Sequence, residues 1–309
     1  MRNNIFANAI FVFIIILLIP VFYFVNVKPY MANRALIDAI AMISGGAGAN
    51  MDVAGRVSAA FGDFKKALKL NTFGDREARE QLSYFASQVA GSQALSQETR
   101  VAAVNEAVLE MKKQIAISPQ DARYQLFLSA VYGAAGQRQL QRDALYKALE
   151  LSPKKQQILF ALTQSYFEEK DIKKAIEFAK SALDLDPTYP AAHSNVAVLA
   201  ALAKDFNMAD KEIETLRKMG KADAEDFQKW GSVYAAGGKL DKAADFYKAA
   251  ILLDPKNVQL RVSLSAVYFE LGKKSEAIQA LKDAQAQDPS FREQGEQFIK
   301  QISGGQKPF

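Results

Sequence analysis

The chain has 309 residues, half of them apolar and 24% charged, which excludes a chain disordered throughout and leaves enough apolar surface for a large core. The absence of cysteine excludes disulfides, thiolate metal sites and thiol nucleophiles. The net charge of +5 is small for this length, and Lys and Arg alternate with Asp and Glu, as in FEEKDIKKAIEFAK at 167–180, so no basic stripe marks nucleic acid as a partner.

Residues 5–27 carry no charged side chain, and IFVFIIILLIPVFYFV at 10–25 is too apolar for a water-exposed face. A bilayer core takes about 20 apolar residues as helix, so residues 5–27 are predicted to cross a lipid bilayer and residues 1–28 to form a transmembrane anchor. A cleaved signal peptide, with a solenoid released after cleavage, is the competing reading. Its apolar part is usually about 7–15 residues and ends in a small-x-small site, whereas this run is longer and leaves through VNVKPY. Pro20 is expected to kink this helix without ending it. Arg2 and the amino terminus on one side balance Lys28 and Arg34 on the other, so the positive-inside count is close to a tie.

Residues 29–50 are read as a short helix, PYMANRALIDAIAMI, followed by a flexible glycine-rich linker, SGGAGAN; no strand precedes the glycines and no Gly-Lys-Ser/Thr follows, so they are not a phosphate loop. From Met51 onward the periodicity is helical. Val57, Phe61, Phe64 and Leu68 form one stripe, Ala78, Leu82, Phe85 and Val89 a second, and Val101, Val104, Val108, Met111 and Ile115 a third. Each stripe needs a partner helix, so 51–121 is expected to be a packed set of antiparallel helices.

Beyond this point the chain keeps a ruler. Pro119, Pro153, Pro187, Pro255 and Pro289 lie 34, 34, 68 and 34 residues apart, with Lys221 in the vacant place. Tyr132, Tyr166, Tyr234 and Tyr268 follow the same interval, as do Ala175, Ala209, Ala243 and Ala277. A small residue, Ser129, Thr163, Ala197, Gly231 or Ser265, recurs in each first helix, where it lets the second helix approach. The prolines are expected to start the next helix, with Ser152, Asp186, Asp254 and Asp288 as caps.

A 34-residue helix-turn-helix period with these small, aromatic, alanine and proline positions resembles the tetratricopeptide repeat. The resemblance implies an α-solenoid, so the expected fold is all-α, an N-terminal transmembrane helix followed by that solenoid. It covers five units over 122–291: 122–155, 156–189, 190–223, 224–257 and 258–291. The unit 190–223 is degenerate, with Ala200 for the aromatic and Lys221 for the proline. The stretch 51–121 reads as irregular repeat-like helices, and 292–309 as a polar capping helix with a tail. The segment from the membrane exit through FKKALKLNTFGDREAREQL at 64–82 is similar to the membrane-proximal part of bacterial O-antigen ligase or polymerase-type proteins with C-terminal tetratricopeptide repeats, which implies an envelope polysaccharide setting. The many-helix membrane portion of those enzymes has no counterpart here.

The residues offer no catalytic, cofactor or metal site. His193, the single histidine, has no second histidine or cysteine to join it, and Glu168 with Glu169 adjoin a helix end as solvated charges. A binding surface is easier to argue. Stacked repeats leave the faces of their first helices free, and in this register those faces carry Arg123 and Phe127, then Phe160, Gln164 and Phe167, then Asn195, Gln228 and Lys229, and finally Gln259 and Phe269. The aromatics suit a protein or peptide partner, with packing between units as the plain alternative for each phenylalanine. The expected function is a non-enzymatic membrane scaffold of the bacterial envelope, its repeats on the extracytoplasmic side. The alternative is a non-catalytic module of an O-antigen ligase or polymerase system.

Overall fold

The computed structural model describes Phe13 and residues 15–306. Of the predicted span, residues 5–12 and 14 lie outside the described residues. Among the described residues there is no strand. The chain divides into two compact units, Met1–Ile158 and Leu159–Phe309.

The first unit opens with α1, a continuous helix over Ile15–Ser44. The apolar run and the short helix after it are one helix. Pro20 leaves the helix running, and the strain of a missing N–H is followed by a π-helical turn at Tyr23–Val27. The second half of α1 pairs with α2 (Val53–Lys69) as an antiparallel hairpin. This corrects the reading of 44–50 as a flexible linker. It is a turn in which Gly45 and Gly48 take φ of 77° and 70° and Ala47 N–H donates to Ala41 O at 3.1 Å. Next come α3 (Asp75–Ala90) with α4 (Gln97–Ile117), and α5 (Ala122–Ala134) with α6 (Arg138–Leu151). All four residues of the α3 stripe are buried, and Phe64 and Met111 are fully so, but Val101 is 49% exposed because it precedes the stretch of α4 that α3 covers.

The second unit contains α7 (Gln156–Glu168), whose first turn holds the division, then α8 (Ile172–Leu185), α9 (Pro190–Leu202), α10 (Phe206–Lys218), α11 (Ala224–Ala236), α12 (Leu240–Leu253), α13 (Val258–Glu270), α14 (Lys274–Gln287) and the closing α15 (Arg292–Ser303). Its core centres on aromatic edges: Trp230 meets Phe227 at 5.1 Å and Phe246 at 5.8 Å between ring centroids, and Tyr234 meets Phe246 at 5.0 Å. Helix α15 buries Ile302 against Val262, Ala277 and Leu281, so the last hairpin keeps no bare apolar face.

Pro119, Pro153, Pro187 and Pro255 precede the next helix without starting it, whereas Pro289 opens a 3-10 turn, Pro289–Phe291, capped by Asp288 and leading into α15. Each occupies the second place of a four-residue turn, in which the carbonyl of Ser118, Ser152, Asp186, Asp254 or Asp288 accepts the N–H three residues on at 3.1–3.3 Å. Ser or Asp at the first place and Pro at the second are the preferences of a type I turn. The following first helices take their caps later, from Asp121, Asp223 and Asn257. The degenerate joint replaces the proline turn with Gly220 at φ 63°. Within each hairpin a left-handed residue closes the first helix at Gly136, Lys170, Lys204, Gly238 and Gly272, again 34 apart, with the next N–H reaching back five residues.

Close helix approach is set by a complementary pair. A Cβ at Gly231 would lie 3.1 Å from the Tyr247 ring. The same two places carry Ser129 with Leu145, Thr163 with Ala179, Ala197 with Ile213 and Ser265 with Leu281. The largest side chain stands with glycine and the smallest with threonine, so summed volume holds the spacing.

Candidate partner-binding groove

In the first unit the first helices α3 and α5 lie side by side and wall a cleft of about 510 Å³. Tyr84, Leu126, Phe127 and Ala130 supply its apolar lining, with Arg123 and Lys155 at one end and Glu80 and Ser87 on the α3 side. Arg123 is held in place. Asp121 accepts the Arg123 backbone N–H at 3.0 Å, capping α5, and grips the guanidinium at 2.6 Å from Nη2. That hydrogen bond holds the Asp121 carboxyl below the usual carboxylate range and raises Arg123 further. Phe127 is half-buried against Met111, Tyr124 and Leu128, so part of its ring serves the core.

Phe160, Gln164 and Phe167 share one face of α7 at four- and three-residue steps. Phe167 is 38% exposed, Phe160 is half-buried with its ring 5.7 Å from that of Tyr189, and Gln164 donates to Glu168 at 2.9 Å. Asn195 on α9 is exposed, Gln228 is half-buried and Lys229 pairs with Glu225 at 2.6 Å. Gln259 lines a cleft of about 570 Å³ with Val262, Phe291 and Phe298, whereas Phe269 packs onto the core of the last hairpin.

Tyr84 and Arg79 carry no periodic signal in the sequence. Tyr84 is 60% exposed on the groove side of α3, off the buried stripe of that helix. On the same helix Arg79 is buried, donating to Glu110 at 3.1 Å and Gln114 at 2.9 Å, with Asp75 at 3.8 Å. His193 uses both ring nitrogens structurally: Nδ1 lies 2.6 Å from Glu212 and Nε2 2.9 Å from the Pro187 carbonyl, tying α9 to α10 and to the preceding joint. A histidine so engaged has no nitrogen left for a substrate.

Residues 156–189 and 234–301 each match a family model described as tetratricopeptide repeat. A solved tetratricopeptide repeat protein from Parabacteroides merdae is 12% identical, with 89% of this chain and 99% of that chain covered at a TM-score of 0.57. The structure of Pseudomonas aeruginosa pilF is 14% identical over 75% of this chain and 99% of that one, with a TM-score of 0.50. Among curated proteins, the BBSome complex member BBS4 of Bos taurus is 27% identical over 140 residues, 45% of this chain and 27% of its own length. The protein O-mannosyl-transferase Tmtc3 of Drosophila melanogaster is 27% identical over 159 residues, 51% of this chain and 17% of that protein. The chain therefore spans about a quarter or less of these two relatives, and the likeness to the solved structures shows the fold. The chain carries tetratricopeptide repeats in an all-helical stack.

Proposed function

We propose that this tetratricopeptide repeat chain is a membrane-tethered scaffold that holds a protein or peptide partner on the exposed faces of its first helices. The observation that carries the reading is the α3–α5 cleft, where a half-exposed aromatic floor ends at Arg123 and Lys155. Rings and cations so placed suit an extended peptide segment with an acidic group at that end. The face of α7 with Phe160, Gln164 and Phe167 extends the same chemistry in the second unit. The tether is α1, whose residues from Ile15 to Val25 leave large apolar side chains exposed, among them Ile19 at 63% and Phe22 at 62%. A sleeve of this length and apolarity suits the hydrocarbon core of a bilayer. Tethering keeps a weak partner at high local concentration, so modest groove affinity suffices.

The action is recognition without turnover, placed in bacterial envelope assembly with the repeats on the extracytoplasmic side. Alkaline phosphatase fused after residue 306 tests the side: activity agrees, and inactivity with a fluorescent cytoplasmic reporter at the same place refutes it. For the groove, crosslinking and affinity capture from membranes compare intact chain with Phe160→Ala/Phe167→Ala and with Tyr84→Ala. Selective loss of captured proteins is expected in each variant. An unchanged set removes these faces from the function.

A further inference from the structure

The folded domain starts without a spacer where the apolar run stops. Along α1, Val25 is 60% exposed, yet Pro29, Ala32, Leu36 and Ala39 are buried at three- and four-residue steps. One helical turn separates the sleeve from the core. The loop that closes against this turn is 70–74, between α2 and α3. A Cβ built on Gly74 would lie 3.1 Å from Asn33 Oδ1, so the loop rests on α1 at Asn33, about 9 Å past Val27 at the ~1.5 Å rise of a helix. The loop is built rigidly: Asp75, buried at the start of α3, accepts the Thr72 N–H at 2.9 Å, and Thr72 Oγ1 accepts the Gly74 N–H at 3.3 Å. Between them Phe73 points outward at 79% exposure, the most exposed phenylalanine among the described residues. Tyr30, 64% exposed, stands on α1 just inside this level, about 5 Å past Val27. Lys69 and Arg76 flank the loop, and Lys28 and Arg34 lie on the adjoining turns of α1.

We propose that the 70–74 loop is a second membrane contact, in which Phe73 enters the headgroup layer beside α1 with Tyr30, and Lys28, Lys69 and Arg76 face anionic lipid. The inference rests on α1 spanning a bilayer. The headgroup layer is about 5–8 Å deep on each side of the hydrocarbon, so Tyr30 stands within it and the loop's contact at Asn33 lies at its outer edge, within reach of the outward Phe73 side chain. Aromatic rings favour that layer, and cations beside them favour acidic headgroups. A single helix leaves a domain free to swivel about its axis; a rigid loop inserted beside it removes that freedom and fixes which face of the first unit looks away from the bilayer.

The absence of cysteine makes the test direct. Full-length chain carrying Phe73→Cys, Val21→Cys or Leu252→Cys, each labelled with the environment-sensitive dye NBD, is reconstituted in vesicles of phosphatidylcholine and phosphatidylglycerol at 3:1. Phe73 and Leu252 are both exposed, at 79% and 83%, so neither change disturbs packing. The expected result is a blue-shifted emission at 73, quenched by lipids with a nitroxide near the headgroup, and a deeper quenching profile at 21. Position 252, an exposed reference site in the second unit, is expected to stay water-like. A water-like signal at 73 with a lipid signal at 21 overturns the contact and leaves the span standing. Water-like signals at both positions overturn the contact and the span together.

Discussion

Replacing Gly231 by alanine tests whether paired side-chain volumes set the spacing of the two helices in a hairpin. The added Cβ would meet Cδ2, Cε2 and Cζ of Tyr247 at 3.1 Å each, about 0.4–0.9 Å inside the ~3.5–4.0 Å separation of carbon atoms at rest. Tyr247 is 6% exposed and packed in the core of this hairpin, so the ring has little room to retreat. Overpacking of this kind costs about 1–3 kcal/mol, against a gain of about 1 kcal/mol in helix propensity for Gly→Ala. The single variant is therefore expected to be neutral to about 2 kcal/mol less stable. In a Tyr247→Leu background, which reproduces the Ser265 and Leu281 pairing of the next unit, only the propensity gain remains. Gly231→Ala should then stabilise by about 1 kcal/mol, a coupling of about 1–3 kcal/mol across the cycle. Trp230, the chain's single tryptophan, is fully buried beside the site, so urea titration followed by its fluorescence reads this hairpin. Changes that add to within about 0.5 kcal/mol would refute the complementary-pair account.

Lys204→Gly is expected to stabilise by about 0.5–1 kcal/mol, since relief of left-handed strain, ~1–2 kcal/mol, exceeds the entropy cost of glycine. Gly238→Lys, at the equivalent place, should shift urea unfolding the other way. Glu110→Ala strands the buried Arg79 guanidinium and is expected to cost about 3 kcal/mol, read as faster amide exchange in α3 and α4; a change under about 1 kcal/mol would contradict the pairing. At the joints, hydrogen bonds from Thr188 and Ser290 hold Asp186 and Asp288 below the ordinary carboxylate value of 3.8. Because the folded values are depressed, their stabilisation is present above pH 3.8 and is lost as the pH falls below it. Circular dichroism during acid titration should show a shallower loss for Asp186→Asn/Asp288→Asn than for the parent, and identical profiles would refute this.

The periodic half was legible because every thirty-fourth residue meets the same neighbours, so tyrosine, alanine and proline recur wherever the same contact does. The earlier hairpins were not, since α2, α3 and α4 run 17, 16 and 21 residues and no fixed interval survives. Residues 44–50 read as a free joint because glycine at positive φ serves a tight turn and a loose linker equally well. Arg79 and Glu110 stand 31 residues apart on helices of unrelated pattern, so their pairing needed coordinates. For the groove, Arg123 and Phe127 lie on α5, and Phe160, Gln164 and Phe167 on α7. The register could not tell that Phe269 is spent on the last core or that Tyr84 stands clear of its stripe, because residue type alone does not say which side of an aromatic a neighbour covers.

The central claim is that partner contact belongs to the first-helix faces. A photo-crosslinking amino acid placed at Gln164 on α7 and at Lys180 on α8, both exposed, in chains otherwise unchanged in the native membrane, tests it most directly. A discrete adduct at 164 with none at 180 is predicted; adducts at 180 alone would contradict the account.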